Sequence, residues 1–447
     1  MISTSAKIKP YNSEPIPVAG IAKCAVSFGE TSIPVDWYVV RGKCEPILSG
    51  EASVQLGIIN FNNIPTFEPI RMVNKELPKP NQQKIQDILA KYPEVFSDKL
   101  GKHNNYQVTF HVDPSVKPVV TPPKPTPYHL KERVDKILKQ MIEDDVIEEH
   151  PRDEPAPWVS RAQIVPKPGG GLRITLDARN VNKAIQSTNL PIPRQEDVKA
   201  KLSGSSVYAK IDFRTAFWQE EINPNSRYLT VFNMNDQLYR YKRLTMGIKS
   251  AQGELNTALR PLFAHIPKAH LIHDDLIIGA ANMEEHNEIL NEVLAAVSKA
   301  GLTLHPDKCQ FGMHEIKFWG MIISSQGVQP DPEKVEALNH LEPPKNKEEL
   351  ISFLCMMQSN AEFIPCFAQK SAPLRELTKD RVKFKWTQTH ENTFKQLLSE
   401  FKKDVLLRYF DITKPIFIIT DAHMTGLGAT LSQGNSLETA KPVAFAS

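Results

Sequence analysis

Two adjacent aspartates, Asp274 and Asp275, lie between the apolar runs Ala269–Ile272 and Leu276–Ile278. That pattern reads as strand, tight turn, strand, with both carboxylates at the tip of a hairpin. Like charges side by side cost free energy unless a cation or solvent offsets them. An isolated Asp-Asp pair is most simply a solvated turn, because Asp is a common turn residue. A third carboxylate changes that reading, and Asp212 supplies one at the end of the strand pattern Val207–Ile211, 62 residues before Asp274. One carboxylate on a strand end and two on a neighbouring hairpin suit two-metal phosphoryl transfer, with divalent ions about 3.5–4 Å apart. Two Mg²⁺ ions match the ligand type, since Mg²⁺ prefers carboxylate and phosphate oxygens; Mn²⁺ can substitute.

The elements around these residues must bring them together. Tyr228–Phe232 and Gln237–Tyr241 predict a hairpin across Met234-Asn235-Asp236, and Ser250 to Ile266 suits a helix. Together they can return the chain beside the strand that ends in Asp212. Upstream, Ala162–Val165 and Leu172–Asp177 read as a hairpin across Gly169-Gly170-Gly171. No GxxxxGK[ST] follows those glycines, and the loop joins two strands, so a phosphate-binding loop is a poor reading. A twisted hairpin could nonetheless aim Lys167 and Arg173 at a bound triphosphate, although alone they are ordinary surface charges.

Helical spacing recurs from Leu130 to Val146, ended by His150-Pro151, and Gln83 to Phe96 predicts one short helix. The proline-rich run Val119–Pro127 reads as an extended connector. Asn282 and Glu285 form a capping-box pattern before a helix that Gly301 closes. Further helices are expected near Pro332–Asn339 and Lys347–Met357, and after Thr387 to about Phe401.

At 447 residues there is room for about three domains. With 41% apolar and 23% charged residues, the composition is that of a soluble globular chain. No apolar run approaches a membrane span, and the first residues lack the apolar core of a signal peptide. The five cysteines are widely spread with no CxxC pair, which suggests neither a zinc site nor a disulfide framework. Net charge is only +3, but Arg161 to Arg214 holds ten Lys/Arg against four Asp/Glu, a local +6 suited to phosphate contacts. A solvated charged face is the plainer account of it.

Residues 1–62 look β-rich, with short strands broken by Gly29 and Pro34, and resemble the C-terminal half of a retropepsin-like aspartic protease. Such an enzyme needs two carboxylates sharing a proton. No Asp-Thr-Gly or Asp-Ser-Gly occurs in the chain, so this piece is expected not to cleave peptides.

An ordered set of motifs points further. Val165-Pro166-Lys167-Pro168 with Leu172-Arg173, Leu176-Asp177-Ala178-Arg179, Lys210-Ile211-Asp212-Phe213, Leu244–Lys249, His273-Asp274-Asp275, Gly301–Leu304 with Lys308-Cys309, and Phe318-Trp319-Gly320 follow one another. The series resembles the reverse transcriptase of gypsy-type LTR retrotransposons and retroviruses, over roughly residues 63–447. The resemblance implies an α+β right-hand polymerase with fingers, palm and thumb. Its implied plan is a retropepsin-like remnant at 1–62, a proline-rich linker at 63–127, fingers and palm at 128–323, thumb and connection at 324–412, and the start of an RNase H-like domain at 413–447.

It also implies roles. Asp212, Asp274 and Asp275 would carry the metals. Phe217 would exclude a 2′-hydroxyl, Gly247 would let the backbone approach the nascent base pair, and Lys167 with Arg173 would grip the triphosphate. Phe318, Trp319 and Gly320 would steady the primer end. Asp421 would be the first RNase H-like metal ligand; with the chain ending at Ser447, before the partner carboxylates, no RNase H activity is expected. Implied partners are an RNA or DNA template with primer and deoxynucleotides, with no membrane, in the cytoplasm or in particles, or alternatively the nucleus. Five positions depart from the family pattern: Ile272 for an aromatic, His273 for an aliphatic residue, Thr245 and Gln252 for prolines, and Pro166 for a lysine. The rival readings are a decayed copy that only binds nucleic acid and an RNA-directed RNA polymerase.

Overall fold

The computed structural model describes residues 7–8, 16–28, 31–40, 73–74, 76–166, 171–187, 194–338, 341–403, 405–423 and 426–447. The chain divides into two units, Met1–Glu68 and Pro69–Ser447. In the first, β1 (Lys7–Ile8), β2 (Ile16–Phe28) and β3 (Thr31–Val40) pair antiparallel in that order. Pro34, expected to break a strand, lies within β3 opposite Ala25. Among the described strands β3 is at the edge of the sheet, where a missing N–H is tolerated. The Ile47–Gly57 part of the protease-like stretch lies outside the described residues.

The second unit begins with α1 (Lys79–Leu89), β4 (Gln107–Val108), α2 (Lys131–Glu143), β5 (Ile147–Glu149), β6 (Ser160–Pro166), β7 (Leu172–Asp177), α3 (Val181–Ala184) and α4 (Gln195–Leu202). It continues with β8 (Val207–Asp212), β9 (Glu221–Ile222), β10 (Phe232–Met234), β11 (Gln237–Tyr241), α5 (Ala251–Phe263), β12 (Ala269–Ile272), β13 (Asp275–Ala280) and α6 (Met283–Ala300). Then follow β14 (Gln310–Met313), β15 (Glu315–Phe318), β16 (Met321–Ser324), β17 (Gly327–Pro330), α7 (Pro332–Ala337), α8 (Lys347–Gln358), α9 (Phe367–Thr378), α10 (Gln388–Phe401), β18 (Ile416–His423), β19 (Gly426–Gln433) and β20 (Lys441–Ala446). Among the described residues no helix is long and apolar enough to cross a membrane.

Three expectations change in this unit. The helix expected from Leu130 to Val146 stops at Glu143; Asp145 turns left-handed at φ 57°, and β5 follows before His150-Pro151. The single helix over 83–96 is α1 followed by a separate 3₁₀ turn, Pro93–Phe96, because a proline ring cannot continue the helical ladder. The strand expected from Tyr228 begins only at Phe232, since Pro224–Thr230 forms 3₁₀ turns. The β10–β11 hairpin itself forms, across Asn235 and Asp236, both at positive φ, the backbone that two-residue hairpin turns need.

Two sheets position the site. A five-stranded sheet, where the resemblance puts the fingers, has the order β5-β11-β10-β6-β7, and a four-stranded sheet, where it puts the palm, has the order β12-β13-β8-β14. In the palm, β8 and β13 are antiparallel with Asp212 opposite Asp275, Lys210 opposite Ile277 and Tyr208 opposite Gly279. Side chains alternate across a sheet, so these six residues share one face. The other face, including Val207, Ala209, Ile211, Leu276 and Ile278, is fully apolar and buried against α6. Helix α6 contributes Leu290, Val293, Leu294 and Val297, each 0% exposed, and burying each such side chain stabilises by about 1.5–3 kcal/mol. It starts with the Asn282 side chain accepting from Glu285 N and ends at left-handed Gly301, as the cap pattern predicts. Tyr208, Ile272 and Ile277 join a second core with Phe318, Met321 and the apolar faces of α8–α10.

Candidate active site

The carboxylates come together through strand register. Asp275 opens β13 directly opposite Asp212, the last residue of β8, so both side chains leave the same face a few ångströms apart. Asp274 is exposed in the two-residue turn between β12 and β13. That turn places His273 at φ 57°, a left-handed conformation that His adopts more readily than β-branched residues do. The His273 ring stands edge-on to Trp319, with centroids 6.0 Å apart. The imidazole thus meets the β15–β16 turn.

Burial pushes the Asp275 carboxyl up; the Lys210 ammonium, 3.3 Å away, pulls it down, and the charges of Asp274 and Asp212 push it up again. The three carboxylates therefore share one electrostatic field. Lys308 Nζ lies 3.5 Å from Asp212 Oδ1. Among the described residues no group of three or more His, Cys, Asp or Glu is gathered closely enough to hold a metal ion. The donor set nonetheless suits a hard divalent cation: oxygen-only ligands, two of them opposed in register, with mutual repulsion that a cation would relieve.

The backbone of Asp212 is held from outside its sheet. His305 N donates to Asp212 O at 2.8 Å, and Asp212 N donates to Cys309 Sγ at 3.4 Å. Cys309 is buried, which pushes its thiol up to about 12 and keeps it a neutral packing group. After Asp212 the chain turns at Thr215, φ 44°, into a 3₁₀ turn, Ala216–Gln219, that carries half-buried Phe217.

The remaining expected residues fall in several places. Arg173 is exposed on β7, and its guanidinium reaches Met246 Sδ at 3.6 Å, so it stands beside the Gly247 loop. Gly247 has φ 104°, and a Cβ there would lie 2.5 Å from Leu176 O. The close approach that needs glycine in this structure is thus to the β7 backbone. Lys167 lies outside the described residues. Phe318 is 3% exposed and belongs to the core; Trp319 (φ 50°) and Gly320 (φ 73°) form the turn after it. Phe318 and Trp319 rings are 4.5 Å apart, and Lys210 Nζ is 6.0 Å from the Phe318 centroid. Asp421 is exposed on β18, paired with Gly428, in a separate three-stranded sheet.

Sequence reasoning assigned no role to Asn182, Gln219 or Lys210. Asn182 Nδ2 donates to Gly247 O at 2.7 Å, and its Oδ1 accepts from Lys249 N at 2.8 Å. One side chain thereby fixes both ends of the loop that leads into α5. No spacing signal could have revealed this, because the partners are 65 and 67 residues away. Asn182→Ala removes two hydrogen bonds worth about 1 kcal/mol each. In primer extension, the activity the resemblance implies, a roughly tenfold rise in the nucleotide KM is expected, with kcat less affected.

Glu220, 0% exposed, accepts from or donates to His103 Nδ1 at 2.9 Å through Oε2, while its Oε1 has no partner. Burial holds its carboxyl above the ordinary glutamate range, against the pull of His103 and Arg243. The folded chain therefore binds this proton more tightly than the unfolded chain. Stability from this group is complete below the unfolded pKa and is lost as pH rises through the raised folded value. Glu220→Gln should remove that slope. Denaturation midpoints from mildly acid to neutral pH check it, the variant gaining on the parent as pH rises.

With this geometry in view, comparison with known proteins is direct. Residues 165–323 match the family model "Reverse transcriptase (RNA-dependent DNA polymerase)", and residues 386–447 match "RNase H-like domain found in reverse transcriptase". The retrovirus-related Pol polyprotein from transposon 412 of Drosophila melanogaster is 27% identical over 389 residues, 85% of this chain and 31% of that protein. The transposon Tf2-3 polyprotein of Schizosaccharomyces pombe is 25% identical over 435 residues, 95% of this chain and 32% of that protein. The chain thus spans about a third of the length of these relatives. In fold it is similar to the foamy viral protease-reverse transcriptase solved with double-stranded DNA, at a TM-score of 0.76 and 18% identity, covering 100% of this chain and 78% of that one. The same viral protein solved with an RNA/DNA hybrid gives a TM-score of 0.74 at 18% identity, covering 99% and 60%.

The fold is therefore that of a reverse transcriptase polymerase with an RNase H-like part. Over residues 165–323 the chain is similar to reverse transcriptases, and along most of its length to retrotransposon Pol polyproteins, which the gypsy-type resemblance fits.

Proposed function

We propose that the chain is an RNA-directed DNA polymerase that extends a primer 3′-hydroxyl with deoxynucleotides. The observation that carries this reading is Asp212 opposite Asp275 on adjacent palm strands, with Asp274 in the turn beside them. Asp212, Asp274 and Asp275 would hold two divalent ions, Mg²⁺ or Mn²⁺. When bound, such ions supply Lewis-acid activation of the attacking hydroxyl and stabilise the leaving pyrophosphate.

The chain's own residues do the positioning. Arg173 beside the Gly247 loop faces a triphosphate with a planar donor fork. Phe217, on the turn that follows Asp212, limits space at the sugar. Lys210 and Lys308 lie against Asp275 and Asp212, where they temper carboxylate repulsion. Template and primer are gripped through their backbones, so binding is salt-sensitive and sequence-tolerant. The support from relatives is the polymerase family match at 165–323.

The test is primer extension by the purified chain on an RNA template, with deoxy- and ribonucleotides compared and a chelator control. Deoxynucleotide incorporation abolished by the chelator is expected. Template–primer binding with no incorporation in either Mg²⁺ or Mn²⁺ would overturn the reading in favour of a binding-only remnant. Equal use of ribonucleotides would overturn the assignment to DNA synthesis.

A further inference from the structure

Gln219 ends the 3₁₀ turn that carries Phe217 and is 1% exposed. Its side-chain amide pairs with both main-chain polar groups of Thr303: Oε1 accepts from Thr303 N at 2.7 Å, and Nε2 donates to Thr303 O at 2.8 Å. Nε2 also donates to Arg214 O at 2.8 Å. Both amide hydrogens and the amide oxygen are thereby used, inside a site where Thr303 itself is 6% exposed.

The partner segment is also the one that holds Asp212. Thr303 O accepts from Arg214 N at 3.0 Å, Leu304 bridges Phe213, and His305 N donates to Asp212 O at 2.8 Å. Residues 303–305 thus touch Asp212 at one end and Gln219 at the other. Between those two anchors lies the turn with Phe217. The residue that leads into it, Thr215, is left-handed at φ 44°, a conformation that costs a non-glycine residue free energy and persists where surroundings enforce it. Gln219 Nε2 supplies such a constraint from the far end of the turn, at Arg214 O.

Side-chain length and chemistry are both specific. Glu would keep an acceptor for Thr303 N but turn lone pairs toward Thr303 O and Arg214 O. Met would fill similar volume and leave a buried N–H without its acceptor. Fully satisfied buried polar networks have one low-energy geometry, whereas partly satisfied ones relax by moving.

Resting on the polymerase reading above, we propose that Gln219 is a positioning residue for sugar discrimination. Paired with the Thr303 backbone, it sets the separation between Phe217 and Asp212 and so the room left at the 2′ position of the incoming nucleotide. The register that sets Asp212 opposite Asp275 belongs to the β8–β13 ladder, in which Gln219 takes no part.

Single-nucleotide extension by the full chain, with matched deoxy- and ribonucleotides, tests this in the parent, Gln219→Met and Gln219→Glu. The ratio of kcat/KM for deoxy- over ribonucleotide should fall about tenfold in Gln219→Met, with a smaller fall in Gln219→Glu. Amide exchange of the peptide spanning 301–305 should accelerate in the same order. An unchanged ratio in folded variants, with both substrates slowed equally, would overturn the proposal and leave Gln219 a structural residue. Should Gln219→Met fail to fold, Gln219→Glu and Gln219→Asn carry the same ratio test. A parent chain that incorporates neither nucleotide refutes the polymerase reading itself, a distinct outcome; a parent that uses both equally refutes the Phe217 gate and this proposal with it.

Discussion

Asp275→Asn is expected to lower primer extension by about three orders of magnitude, the scale on which removing a preorganised electrostatic group acts. Asp212→Asn and Asp274→Asn should act alike. Asn keeps the volume and one acceptor oxygen but removes the charge that a divalent ion would need. Stability should move little. The Asp275 carboxyl is held up by burial, so the folded chain already disfavours its charge, and a neutral amide relieves that cost while Lys210 loses its partner. The melting temperature of Asp275→Asn should therefore stay within a few degrees of the parent, and template–primer affinity should be retained. Extension by Asp275→Asn at the parental rate would remove the palm carboxylates from the mechanism. A collapse of melting temperature alongside activity would show instead that the pair is structural.

Gly247→Ala should have the next largest effect. The residue sits at φ 104°, and an added Cβ would meet Leu176 O of β7 at 2.5 Å. Backbone cannot swing aside as a side chain can, so either β7 or the 246–249 loop must move. Left-handed strain alone costs about 1–2 kcal/mol, and the contact adds to it. The loop is fastened to Asn182 and lies beside Arg173, so the displacement reaches the residues expected to meet the triphosphate. About a hundredfold loss in kcat/KM for nucleotide is expected, with a lower melting temperature. Parental kinetics in Gly247→Ala would mean that the loop does not position substrate. A second replacement, Leu176→Ala, leaves the carbonyl in place and should not rescue it.

Much of the palm was legible in the residues. The Asp274-Asp275 hairpin forms where apolar runs flank the pair, because period and turn residues act locally. Helix α6 starts and stops at its cap residues for the same reason. The stretch from Tyr228 has a β-rich composition yet forms 3₁₀ turns after Pro224, because tertiary contacts override propensity over short segments. The resemblance sets Gly247 beside a nascent base pair; the close approach in the structure is to the β7 carbonyl, which no local pattern contains.

By itself the sequence determined which side chains can do chemistry here: three carboxylates, a basic stretch between Arg161 and Arg214, and an ordered series of strand and helix signals around them. Those are properties of residue type and short spacing. Only the tertiary structure decided that Asp212 faces Asp275, that His273 turns toward Trp319, and that residues 303–305 tie Asp212 to the Phe217 turn through Gln219. Each of these depends on strand register or on hydrogen bonds between segments far apart in the chain. Such pairings are chosen by packing of the whole unit, where burying the apolar faces of β8 and β13 leaves one register, and that register sets the two carboxylates side by side.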